Sequence, residues 1–164
     1  VKKKTWKIIS IIFILLAGLW FIFRPEKLFI DKTVNEALQT PAGKTQASKI
    51  LYQSQFHSGD TFHKGKGTAT VHQLENGKRI LRFTEFETDN GPDVKIYLVA
   101  LPEIKKSKEV TKDNFISLGQ IKGNKGDQNY EIPDNVDLNK YQTVSIWCER
   151  FSVNFASASF KKGN

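Results

Sequence analysis

GTATVHQLENGKRILRFTEF, residues 67–86, is the stretch whose reading decides the fold. Two short alternating runs, GTATVHQL and KRILRFTEF, flank Glu75-Asn76-Gly77. Asn-Gly between alternating runs is the strongest short hairpin signal, because both residues accept positive φ. Working outward, similar runs recur at 50–56 (ILYQSQF), 94–101 (VKIYLVAL), 115–121 (FISLGQI), 128–133 (QNYEIP), 143–149 (TVSIWCE) and 151–160 (FSVNFASASF). No stretch of this region has a sustained 3.6-residue period. The expectation is an all-β domain over 49–160, an antiparallel sandwich or barrel of about eight strands. The charged stretch 102–113 (PEIKKSKEVTKD) reads as a long surface loop.

The N-terminus is different in kind. Residues 8–23, IISIIFILLAGLWFIF, hold 16 positions without a charge. As a helix they rise about 24 Å, and Trp6 with a snorkelling Lys7 extends that toward a bilayer core of roughly 30 Å. Lys2, Lys3, Lys4 and Lys7 precede the run, so the positive-inside rule keeps the N-terminus in the cytoplasm and exports the rest. The exit, Trp20-Phe21-Ile22-Phe23-Arg24-Pro25, lacks a small-x-small cleavage site, which predicts an uncleaved signal-anchor over 1–30 in a single-pass cell-membrane protein. No cysteine follows the run, so a lipoprotein anchor is excluded. Residues 31–48 read as a stalk, with a short helical stretch at 33–39 capped by Thr33 and Glu36 and a Pro/Gly linker behind it. Residues 161–164 read as a tail.

The chain's formal charge of +8 belongs mostly to the anchor: residues 1–30 carry +5, and the remainder only +3. That remainder is mixed in sign and has no basic run longer than a pair, which excludes nucleic acid as partner. A single cysteine, Cys148, means no internal disulfide framework, so the core must be apolar, and 12 phenylalanines make it aromatic.

Most chemical constellations fail on spacing. His57 and His63 form a doubled Phe-His unit and His72 follows, but no HxH or HxxxH pattern or second cysteine completes a metal site, leaving His63 as a weak candidate ligand. HKGKGTA and IKGNKGDQ lack the Gly-Lys-Ser/Thr ending of a phosphate loop and read as tight turns, with Lys64, Lys66, Lys122 and Lys125 as a possible anion-attracting rim. The carboxylate pairs Glu85/Glu87 and Asp89/Asp93 show nothing that would part their pKa values, and no Gly-x-Ser-x-Gly elbow occurs. A hydrolytic enzyme is not supported.

Cys148 admits two readings. Val144, Ile146 and Cys148 share one face of a strand and Thr143, Ser145 and Trp147 the other, and free cysteine among apolar neighbours packs as a small hydrophobe. Against that, the apolar parity changes after Glu149-Arg150, placing Phe151, Val153 and Phe155 inward, and such a break marks a turn or bulge that can re-aim a side chain. Arg150 would lower a nearby thiol's pKa and Glu149 would raise it.

Several blocks in order resemble the DM13 domain family, proposed to act in redox or electron transfer. They are Gly59-x-x-Phe62-His63 with Gly67-Thr68-Ala69, Leu81-Arg82-Phe83-x-x-Phe86, Gly91-Pro92-Asp93-x-x-x-Tyr97-Leu98, residues 118–133 (LGQIKGNxGDQNYxIP), and Ile146-Trp147-Cys148-x-x-Phe151-Ser152-Val153-x-Phe155-x-x-Ala158. The resemblance covers most of 56–160 and departs at Ala156, where glycine is more usual. It implies a β-sandwich and an electron-transfer role resting on Cys148, and it carries no cofactor motif. Trp147, Arg150, His63, Tyr97, Asp93 and Tyr130 are the neighbouring or binding candidates. Without a resolving cysteine, the thiol would act through sulfenic acid or a mixed disulfide with a redox partner protein. The rival reading is a non-catalytic module gripping cell-wall polymer or an envelope protein.

Overall fold

The computed structural model describes residues 2–23, 30–38 and 48–162. Helix α1, Lys2–Phe23, has 22 residues, about 33 Å at 1.5 Å per residue, and is long and apolar enough to cross a membrane. Its one hydroxyl within the apolar run, Ser10, donates to the Trp6 carbonyl at 3.0 Å, so the polar group is satisfied inside the helix.

Among the described residues ten strands follow: β1 Ser48–Gln55, β2 His57–Ser58, β3 Gly65–Leu74, β4 Arg79–Thr88, β5 Val94–Val99, β6 Phe115–Gln120, β7 Gln128–Ile132, β8 Thr143–Cys148, β9 Val153–Ser159 and β10 Lys161–Lys162. They make two antiparallel sheets, β10-β1-β3-β4-β7 and β2-β9-β8-β5-β6. The eight expected strands are all present; β2 and β10 are two-residue additions at sheet edges.

The deciding hairpin forms, with Gln73 opposite Arg79, but by a different turn chemistry. Gly77 alone has positive φ (+82°), and a three-residue loop results in which Gly77 N–H donates to the Leu74 carbonyl. Further along, Phe83 and Phe86 sit three residues apart, which strict alternation forbids on one face. A bulge resolves this: pairing jumps from Lys66↔Glu87 to Thr68↔Thr84, with Gly67 at φ +107° and Glu85 at φ +50°. Both phenylalanines then point inward. A Cβ on Gly67 would lie 2.7 Å from Phe86 Cα, so glycine is required there on two counts.

The inner faces meet on an aromatic cluster. Phe56 packs edge-on to Phe83 and Phe86 at 4.9 and 5.0 Å, and Phe83 contacts Tyr130 at 5.2 Å. Ala69, Val71, Leu81, Ile96, Leu98, Val144 and Ile146 complete the centre. The outer face of the second sheet is also covered. Loop 100–114 sends Ile104 and Val110 down onto Tyr97, Val99 and Trp147, forming a second, smaller core. The loop is therefore half surface and half lid on that face.

Two local expectations are corrected. Phe151 is not inward: it lies in the β8–β9 turn and is 49% exposed, because the bulge falls after Ile146 and lets Asn154 pair with Trp147 instead. Within 33–38 no helix forms; the chain is extended, and Glu36 bonds across to Lys122 rather than capping its own backbone. Gln39 lies outside the described residues.

Truncating Phe83 to Ala removes a fully buried ring at the centre of the aromatic cluster. Urea unfolding of the variant is expected to show a loss of about 3–5 kcal/mol; a loss under about 1 kcal/mol would mean the cluster does not hold the sheets.

Candidate functional site

The loops at one end of the sandwich enclose a surface cavity of about 340 Å³. Its walls are the β4–β5 loop with Gly91-Pro92-Asp93, the start of β5 at Val94, and the β6–β7 loop from Gln120 to Asn124. Ile30 and Lys32 close one side. The β8–β9 turn lies at the same end, since the Glu149 N–H donates to the Asp93 carbonyl at 2.8 Å.

Cys148 is wholly buried on the inner face of β8. It pairs with Val94 on one side and Val153 on the other, so its β5 neighbour is itself part of the cavity lining. Trp147 and Tyr97 lie on the opposite, outer face, where Tyr97 stacks on Phe115 at 3.9 Å and on Trp147 at 6.0 Å. Burial, then the Asp93 charge, push the Tyr97 phenol pKa upward. Arg150 is exposed in the turn. The Asp93 carboxylate accepts from the Gln120 amide at 3.2 Å, and Glu149 pairs with Lys95 across the turn. Tyr130 belongs to the other sheet. Its hydroxyl donates to Gln128 Oε1 at 2.7 Å and accepts from the Lys122 N–H at 3.1 Å, and burial pushes its pKa up strongly.

His63 stacks on Phe155 at 4.2 Å and meets both oxygens of Asp60 at 2.9 Å through Nδ1. Burial pushes the Asp60 carboxyl up, but hydrogen bonds from the His63 ring and the His63 and Phe62 amides outweigh it and lower its pKa. His57 instead faces the Ser157 hydroxyl at 3.3 Å, and His72 the Ser48 hydroxyl at 3.0 Å. Burial, helped by Arg82, holds the His72 pKa below its ordinary value. The histidines do not converge, and among the described residues no group of three or more His, Cys, Asp or Glu side chains could hold a metal ion.

The densest polar constellation was not legible as one. Residues 31–38 run as an extended strap beside the 122–129 loop, with a parallel bridge between Thr33 and Lys125. Val34 N–H donates to the Lys125 carbonyl and Glu36 N–H to the Asp127 carbonyl, both at 2.9 Å. Arg82 grips the Glu36 carbonyl (2.8 Å), Asn129 Oδ1 (2.9 Å) and Asp127 Oδ2 (2.6 Å). Asn129 donates through its side chain to the Ala37 carbonyl. Asn124 accepts from the Lys32 N–H at 2.7 Å and donates to Asp31 at 2.8 Å. Behind the loop, buried Gln128 bonds both the N–H and the carbonyl of Gly123.

The glycines of KGNKG have a reason beyond a turn. A Cβ on Gly123 would run into the Lys32 carbonyl, and one on Gly126 (φ +89°) into the Val34 carbonyl. Three of the four lysines expected to form an anion rim are taken up in ion pairs. Lys122 pairs with Glu36 at 2.8 Å, Lys125 with Asp31 at 2.6 Å and Glu87 at 3.5 Å, and Lys66 with Glu87 at 2.7 Å. Only the repeated glycine spacing hinted at a second chain passing close by. The partner segment, 93 residues away in sequence from Asn124 at Asp31, could not be named from it.

The chain folds as a small antiparallel two-sheet β-sandwich with one core thiol, an end cavity and a docked strap. The family model described as Electron transfer DM13 matches residues 55–160, well over half of the chain, and the chain belongs to the DM13 family. No curated protein and no solved structure matches it. The strap lies outside the matched residues, while Arg82, Asn124, Asp127 and Asn129 that hold it lie within them. Ala156 is fully buried opposite Ile146, and its methyl fills space beside Gly65.

Two measurements check this geometry. Native Cys148 is expected to react with a maleimide about a hundredfold more slowly than in denaturant, because reaction requires local opening; equal rates would show the thiol accessible. The strap carries a pH signature. Hydrogen bonding from Lys125 and Asn124 lowers the Asp31 pKa; burial raises that of Glu36, but Lys122, the Asn129 N–H and Arg82 outweigh it and lower it. Depressed carboxylates stabilise fully above their unfolded values and lose that contribution as pH falls through the folded ones. Exchange protection of the Val34 and Glu36 amides is expected to hold from neutrality to about pH 5 and fall below about pH 4. Unchanged protection at about pH 3 would show that the ion pairs do not hold the strap.

Proposed function

We propose that this chain is a membrane-anchored electron-transfer domain, held by residues 1–30 with its N-terminus in the cytoplasm, and that its domain, 49–160, acts outside the cytoplasm through Cys148. The observation that carries the reading is the position of the thiol. Cys148, within the matched residues, is wholly buried at the end of β8 and paired with Val94 in the cavity wall. Such a thiol is shielded from bulk oxidants and small thiols, and a partner reaches it only by opening the β8–β9 turn or through the cavity wall. Opening is local. The turn, residues 149–152, is exposed, with Ser152 at φ +54° and Phe151 half out of the protein.

In exchange with a partner disulfide, the Cys148 thiol loses its proton and attacks one partner sulfur. The other leaves as a thiolate, and the mixed disulfide is resolved by a partner cysteine, since this chain has no second one. The supports for anchoring are α1 and the lysine cluster before it; the redox partner is an envelope protein whose identity is set by its own cysteines. The cavity favours the second reading, a module that binds a cell-wall polymer or envelope protein, because a concave site with convergent polar groups is the usual form of a binding site.

The readings part on electron uptake. Titration of the purified domain with redox mediators, together with its absorption spectrum before and after haem or copper addition, is expected to show electron exchange that Cys148→Ser abolishes. Exchange unaffected by Cys148→Ser would remove the thiol from the mechanism. No exchange at all, with retention on insoluble cell wall, would establish the binding module instead.

A further inference from the structure

The strap fixes the end of the sandwich at which the chain arrives from its N-terminal side. The cavity end carries the loops 59–64, 89–93 and 121–127 and the β8–β9 turn; Lys64 N–H bonds the Asp89 carboxylate there. The far end carries the 75–78 turn and the 133–142 loop. The strap starts at the cavity end, where Asp31 meets Asn90, Asn124 and Lys125, and runs parallel to 124–129 toward the far end. β1 begins at that far end, since Ser48 pairs with Leu74 beside the hairpin turn. The docked strap thus carries the chain the length of the sandwich before the domain starts.

Covalent geometry turns this path into an orientation. With the strap docked, Phe23 at the end of α1 connects to Asp31 over eight Cα steps, at most about 29 Å, and the attachment point is the cavity end. Without it, the connection runs 25 steps to Ser48, up to about 90 Å, and the attachment point is the far end. We propose that docking of residues 31–37 along the 122–129 loop turns the cavity end toward the lipid surface and holds it there, and that the undocked chain, on its longer tether, would lose that orientation. The inference rests on the membrane-anchored reading. It makes the cavity end a membrane-facing surface, reached by partners that lie at or in the lipid surface rather than by ones free in bulk solution.

The test uses the full chain in lipid nanodiscs containing headgroup-nitroxide lipids, with a fluorophore on Thr61→Cys at the cavity end or on Asn135→Cys at the far end, both exposed positions. The chain with unaltered strap is expected to show several-fold stronger quenching at position 61 than at 135. Asp31→Lys with Glu36→Lys, which sets like charges against Lys125 and Lys122, is expected to abolish that difference. Asp31→Ala with Asn129→Ala removes strap contacts without adding charge and is expected to act in the same direction; unchanged near-ultraviolet circular dichroism shows that the sandwich is intact in either variant. Equal quenching in the unaltered chain, or a difference that survives both strap variants, overturns the proposal while anchoring stands. A chain that does not co-float with vesicles removes the anchoring reading and this one with it.

Discussion

With one cysteine in the chain, no internal cross-link joins the two sheets, and everything else depends on the contact between their inner faces. That contact is aromatic at its centre. Phe56, Phe83 and Phe86 meet within about the ring-to-ring spacing that edge and tilted packing favours, and Tyr130 closes the cluster with its hydroxyl turned onto Gln128. Bringing Phe83 and Phe86 to the same face required the Gly67–Glu85 bulge. The same demand on face explains Cys148. Once Val144 and Ile146 point inward, strand parity takes the thiol inward with them.

Burial gives the thiol a double character. It packs as a small apolar side chain, and it also sits at the last position of β8, where Asp93, Glu149 and Lys95 tie the turn to the cavity wall. Trp147 and Tyr97 face away from it, beneath the 100–114 loop. Any electronic role for those rings operates across the sheet from Cys148 and not by direct contact.

The strap shows a different use of the family's polar residues. Arg82, Asn124, Asp127 and Asn129 stand in blocks matched by the DM13 model; Arg82, Asn124 and Asn129 each bond the strap, which the match does not include, and the Asp127 carboxylate holds Arg82 and the Glu85 N–H in β4 while its carbonyl accepts from Glu36. Charge is balanced at the same time. Lys122 and Lys125, which look like a free basic rim in the sequence, meet Glu36 and Asp31. Individually such exposed pairs contribute little. Here backbone hydrogen bonds and two glycines that admit the strap's carbonyls supply the register, and the charges add to it.

Local rules therefore determined a large part of this protein. Alternation and the Asn-Gly turn disclosed the strands, an uncharged run disclosed a helix long and apolar enough to cross a membrane, and the face of Cys148 followed from its neighbours in β8, because each depends on residues within one element. The turn type at Gly77, the inward Phe86, the outward Phe151 and the extended strap did not follow. Bulges arise from a conflict between two strands, and an extended strap exists only where another segment offers it partners. Thr33 and Glu36 look like a helix cap on their own; Lys122 and Asn129, far along the chain, turn Glu36 into an anchor instead. Only the tertiary structure brings them together, because a hydrogen bond between residues 93 apart leaves no trace in the local pattern of either.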